Sequence, residues 1–149
     1  MKGISVFMHY GLGVIAGGMI AIQSVLNATL GQRLGYSGSV LVLTLVSIAT
    51  LIVLILLFPS TVDFQHLPSF SEWHLYIGGV LGVMILAAPI VLVPRIGTTS
   101  TLVAIVLGQL MMALLVDQFG LFASPKIVVT PTRVLGIAIV FLGTFLVGK

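Results

Sequence analysis

Cysteine is absent from this chain, and charge nearly so: its 149 residues hold six Lys or Arg and three Asp or Glu. Without cysteine there is no disulfide, no thiol nucleophile and no thiolate metal site. The three histidines, His9, His66 and His74, are too scattered along the sequence to hold a metal. There is no phosphate-binding loop, no Ser-His-Asp set and no pair of carboxylates, so the residues point to no enzyme chemistry and no cofactor. The net charge of +3 comes from isolated residues rather than a basic patch, and nucleic acid is not implied. At 59% apolar residues and a mean hydropathy of +1.31, the composition excludes an ordinary soluble domain.

The few charges and turn residues divide the sequence into five apolar stretches. Each is near the roughly 20 residues that cross about 30 Å of hydrocarbon. The reading is an all-α, multi-pass protein of the cell (inner or plasma) membrane. It has one domain over 1–149, with helices over about 4–30, 40–58, 72–93, 98–119 and 131–148. The run over 4–30 is too long for a signal-peptide core and reads as an uncleaved first helix. Gly31, Gly35 and Gly38 supply the stop after it. Pro59 ends the second helix, and the polar segment to Ser71 is a loop. Ser71 reads as the cap of the third helix, with Glu72 in its first turn. Trp73 and Tyr76 fall at headgroup depth. Pro94 ends that helix. Thr98 or Thr99 caps the fourth, and Thr130 with Pro131 opens the fifth. The pattern assigns no element to Leu121–Val129.

The six cations carry a second message. Alternating sides over five spans puts Lys2, Lys126 and Arg133 on one side and Arg33, Arg95 and Lys149 on the other. Orientation follows an excess of Lys and Arg on the cytoplasmic side, and three against three gives none. Either another feature orients the chain, or it inserts both ways and pairs with its inverted copy. The second alternative predicts an antiparallel dimer of ten helices.

Small residues mark packing seams in lipid, where no hydrophobic drive holds helices together. Gly13, Gly17, Ala21, Ser24 and Ala28 form one such stripe at 100° per residue. Beside it Gln23 and Asn27 lie one turn apart, and Gln109 sits near the middle of the fourth helix. Carboxamides are costly in hydrocarbon unless satisfied. These three are therefore candidate substrate ligands, with interhelical hydrogen bonding as the competing role. The hydroxyls of Thr44, Ser47 and Thr50 are expected to bond back to their own helix. Asp117 occupies the last turn of the fourth helix, where the dipole disfavours an anion. It calls for a cation: Arg133 or Lys126, or Arg95 of an inverted copy. The role is an ion pair or, alternatively, coupling.

The segments "AIQSVLNATLGQRLG", "VPRIGTTSTLVAIV", "GQLMMALLVDQFGLF" and "RVLGIAIVFLGTFLV" resemble the short five-helix YdcZ-type family of the drug/metabolite transporter superfamily. The most specific features are Gln23-x-x-x-Asn27 and the spacing from Gly108-Gln109 to Asp117-x-x-Gly120. Gln118 departs from the histidine of many relatives, and the second helix lacks the family's glycine. The resemblance implies dual-topology chains, paired chains of opposite orientation, or fused ten-helix proteins. With the charge tie, it leads to the expectation of secondary transport of a small metabolite or drug-like molecule by alternating access. The partners would be an identical inverted copy or a sister protein. The alternatives are a non-transporting accessory subunit and a proton-coupled multidrug pump. The first helix lacks the membrane-embedded glutamate that such pumps use.

Overall fold

The computed structural model describes residues 2–147. Gly148 and Lys149, the predicted end of the fifth span and one cation of the charge tie, lie outside the described residues. Among the described residues four α-helices form: α1 (Lys2–Leu57), α2 (Ile77–Ile96), α3 (Thr98–Phe119) and α4 (Pro131–Val147). Short 3-10 turns connect them, and no strand is formed among the described residues. The helical segments Phe7–Leu57, Phe70–Ile96 and Thr98–Phe119 are long and apolar enough to cross a membrane, with 18-residue stretches at mean hydropathies of 3.1, 2.4 and 2.1. The 17 residues of α4 are at the lower limit for crossing, which is about 17.

The predicted first and second spans fall within α1. A straight helix of its apolar length would run about 75 Å, more than twice the hydrocarbon thickness. The break is at Gly35, where φ is 71° and ψ 172°. A side chain at that left-handed φ is disfavoured, which is why glycine serves there. The helical arms are therefore residues 2–34 and 36–57. Gly31 and Gly38, expected to share the turn, are helical instead. The second arm accordingly starts near residue 36 rather than 40. Ser39 Oγ lies 2.9 Å from the Gly35 carbonyl and 2.8 Å from the Tyr36 carbonyl, and its one proton is donated to this pair of backbone oxygens at the break.

Three other boundaries differ from the sequence reading. The cap before α2 is Ser69 rather than Ser71. Its amide donates to Glu72 Oε2 at 3.0 Å, and a 3-10 helix over Phe70–Tyr76 precedes α2. Pro94 does not end α2, which continues to Ile96. A proline inside a membrane helix is tolerated because neighbouring groups re-satisfy the freed backbone. Gly97 (φ 79°), not Thr98 or Thr99, is the cap of α3. Thr101 Oγ1 instead donates back to the Gly97 carbonyl at 2.7 Å.

The chain separates into two compact units, Met1–Pro94 and Arg95–Lys149. In the first, the buried apolar residues Val40, Ala87 and Ile90 form a small cluster. A methyl group added at Gly31 would collide with the Ile90 side chain. Gly31 thus sets how closely the first arm of α1 approaches α2, the close backbone packing that small residues permit in lipid. In the second unit, α3 packs along α4.

Candidate functional site

The polar groups of the first unit sort by burial. Gln23 is exposed, whereas Ser24, Asn27 and Ala28 are buried. Asn27 therefore belongs to the small-residue seam, and the paired carboxamide stripe read from the sequence is split between two environments. The far end of that seam is open: a Cβ at Gly13 or Gly17 would meet nothing within 4 Å.

Several helix hydroxyls are satisfied locally. Ser24 Oγ donates to the Ile20 carbonyl at 2.8 Å. Thr44, Ser47 and Thr50 donate to the carbonyls of Val40, Leu43 and Val46. A hydroxyl can do this because its donor reaches the carbonyl one turn back. The Asn27 carboxamide oxygen is an acceptor and finds no such partner. Asn27 is 2% exposed, and its Oδ1 is the sole buried side-chain N or O atom without a hydrogen bond among the described residues. An unpaired carbonyl in a dry interior costs about 1–3 kcal/mol by mutational measures.

In the second unit, Gln109 is exposed on α3. Asp117 is joined to Arg133, whose Nη1 donates to Asp117 Oδ2 at 2.9 Å. Each charge stands at the unfavourable end of its own helix: Asp117 in the last turn of α3, Arg133 in the first turn of α4. The two helix ends are brought together by the turn between them. The carboxylate thereby gains the positive start of α4 and the guanidinium the negative end of α3. Lys126 and Arg95 are both exposed; Arg95 lies in the last turn of α2.

The segment to which the sequence assigned no element is clasped to α3. Ile127 N donates to the Asp117 carbonyl at 2.8 Å. Val129 N donates to Gln118 Oε1 at 2.9 Å. Gly120 turns the chain at φ 61°, and a Cβ there would stand 3.2 Å from the Ser124 carbonyl. Phe122 follows with φ 57°, a strained conformation for a bulky residue. Thr130 Oγ1 then accepts from Arg133 N at 3.4 Å at the start of α4. Sequence reasoning missed Gln118 as an anchor. The available signal was an amide-bearing side chain two residues before the glycine that reverses the chain.

The loop over 58–76 carries another titratable pair. His66 Nδ1 lies 2.6 Å from Asp63 Oδ2, and Gln65 N donates to Asp63 Oδ1 at 2.9 Å. The bond from His66, followed by that from Gln65, holds the Asp63 carboxyl below the usual carboxylate range.

No curated protein and no solved structure matches the chain. The family described as "Putative inner membrane exporter, YdcZ" matches over residues 8–146. That span runs from near the start of α1 to the last turn of α4, with apolar helices long enough to cross a bilayer. The chain belongs to the YdcZ family and is a multi-pass inner-membrane protein.

Proposed function

We propose that the chain is one half of an alternating-access exporter for a small metabolite or drug-like molecule, completed by an inverted copy of itself or by a sister protein. Each half crosses the membrane five times as a single domain: the two arms of α1, then α2, α3 and α4. Residues 36–57 alone give about 33 Å of helix, enough to span. Gln23, Asn27 and Gln109 line the substrate path. Two inverted halves give the repeat symmetry in which transporters build midplane sites and rock around them.

The observation that carries this reading is the buried, unpartnered Oδ1 of Asn27. A scaffold helix has no use for an unsatisfied carbonyl in a dry seam. A substrate N–H or O–H would satisfy it. Gln23 and Gln109, exposed on apolar helices, would be lipid-facing in a lone copy and likewise favour a cavity.

Two experiments test this. In the first, reporters active on only one side of the membrane are fused after Lys149, and both give signal in the unmodified chain. Two lysines added beside Arg33 drive that side to the cytoplasm. A one-sided result without a sister protein contradicts self-pairing. In the second, compounds are screened by thermal shift on the purified protein, since a ligand of the folded state raises its melting point. Gln23→Ala and Gln109→Ala abolish that shift while apo assembly persists. If both variants keep the ligand shift, Gln23 and Gln109 are not part of the site.

A further inference from the structure

Helices α3 and α4 leave an open groove of about 350 Å3 between them. Its walls include Ala113, Gly136, Ile137 and Val140, and the Asp117–Arg133 pair lines the same groove. A Cβ at Gly136 would meet nothing within 4 Å, so its missing side chain is part of this space. We propose that the groove holds one phospholipid with a zwitterionic, primary-ammonium headgroup, of the phosphatidylethanolamine type. An acyl chain lies along the apolar walls, and the headgroup lies across the ion pair.

Three observations fix that chemistry. First, the polarity is that of an amphiphile: apolar walls belong to the spans, while both charges sit in terminal helical turns, at headgroup depth. Second, the ion pair is only part used. One Nη1–H meets one carboxylate oxygen, whereas a guanidinium has five N–H donors and a carboxylate a second oxygen. A phosphate suits the remaining guanidinium edge and is favoured at the start of α4. An ammonium suits the remaining carboxylate oxygen and the end of α3. Third, the pair keeps 45% of the Arg133 side chain and 31% of the Asp117 side chain exposed. Both charges are therefore within reach of a headgroup. A headgroup leaves them wet. An anionic lipid without an amine has no ammonium for the free carboxylate oxygen of Asp117, and a choline headgroup has no N–H to donate.

The test is native mass spectrometry on purified full-length protein, delipidated and then mixed with phosphatidylethanolamine, phosphatidylcholine or phosphatidylglycerol of identical acyl chains. The expected result is one phosphatidylethanolamine per chain, bound about tenfold tighter than either other lipid. Gly136→Leu fills the groove and removes that lipid while leaving the melting point of lipid-free protein in place. Ala113→Leu does the same from the opposite wall. Arg133→Gln abolishes the preference among headgroups. Equal retention of the three lipids overturns the proposal. So does retention of phosphatidylethanolamine by both filled variants, or a filled variant that changes oligomeric state and leaves lipid binding intact. Lipid retention is read without substrate, so it stands or falls independently of transport.

Discussion

Asn27 and Asp117 are polar side chains on apolar helices, and the fold treats them in opposite ways. Asp117 carries a full charge at a helix end that repels it, yet it is paired with Arg133 and its backbone carbonyl takes the Ile127 amide. Asn27 is neutral and almost wholly buried, yet its oxygen has nothing to bond. The chain thus spends bonds on its more exposed polar group and leaves the dry one open. In a membrane protein that is the distribution expected if Asp117 is structural and Asn27 awaits something from outside the chain. The same contrast separates the two halves of the first arm of α1. Ser24, Asn27 and Ala28 are buried, whereas Gly13 and Gly17 face open space.

The contrast can be broken most forcefully at Gly31. Gly31→Leu drives a side chain into Ile90 and is expected to destabilise the first unit by about 1–3 kcal/mol or more, as overpacking does. It separates the arm from α2 and gives Asn27 access to water. The check is the melting point, together with faster hydrogen exchange along 24–31. An unchanged protein would mean that Gly31 does not set the approach.

The Asp117 side of the contrast sharpens through its neighbours. Gln118→Ala removes the acceptor of the Val129 amide and is expected to cost about 1 kcal/mol. Exchange at Val129 should rise while exchange in the middle of α3 is unaffected. Asp117→Asn costs less, up to about 1 kcal/mol, because the ion pair is partly exposed. The two changes are not additive, since both loosen one clasp. Additive losses would mean the clasp is two independent contacts.

The smallest effect belongs to Asp63. Its carboxyl titrates below the usual range in the folded loop, because His66 and Gln65 bond to the charged form. The ordering it gives is therefore present above the ordinary carboxylate range and is lost as pH falls through the depressed folded value. Asp63→Asn should remove that acid-side change in hydrogen exchange at Gln65 and leave the helices untouched. An identical pH profile in the variant would show that the Asp63 bonds do not order the loop.

Much of this was legible in the sequence. Apolar runs place the helices because their length must match the hydrocarbon, and Thr130-Pro131 opens α4 as its residue types dictate. Asp117, as an anion at a helix end, announced its need for a cation. What the sequence could not carry was the choice among equivalent signals. Three glycines compete for one break, and only Gly35 adopts the left-handed backbone, because Gly31 is needed helical against Ile90. Two prolines sit inside α2, where sequence rules end a helix, because membrane helices accommodate them. Gln23 and Asn27 share a stripe by periodicity but not an environment. Their separation depends on where the neighbouring helix lies, which no local pattern encodes. The Gln118 clasp spans 11 residues and joins a side chain to a backbone amide, so the sequence marks the amide before the turn but not the residue it holds.

The measurement that bears most directly on this account is the stability and ligand response of Asn27→Leu beside Asp117→Asn, in one membrane mimetic. If Asn27 is kept for a ligand, replacing its unpaired oxygen with an apolar side chain of similar size raises apo stability, by about 1 kcal/mol. The same change abolishes the thermal shift from any compound that stabilises the unmodified protein. Asp117→Asn does the reverse: apo stability falls and the ligand shift survives. A lower apo melting point for Asn27→Leu with the ligand shift intact would contradict the account, and would make Asn27 part of the scaffold.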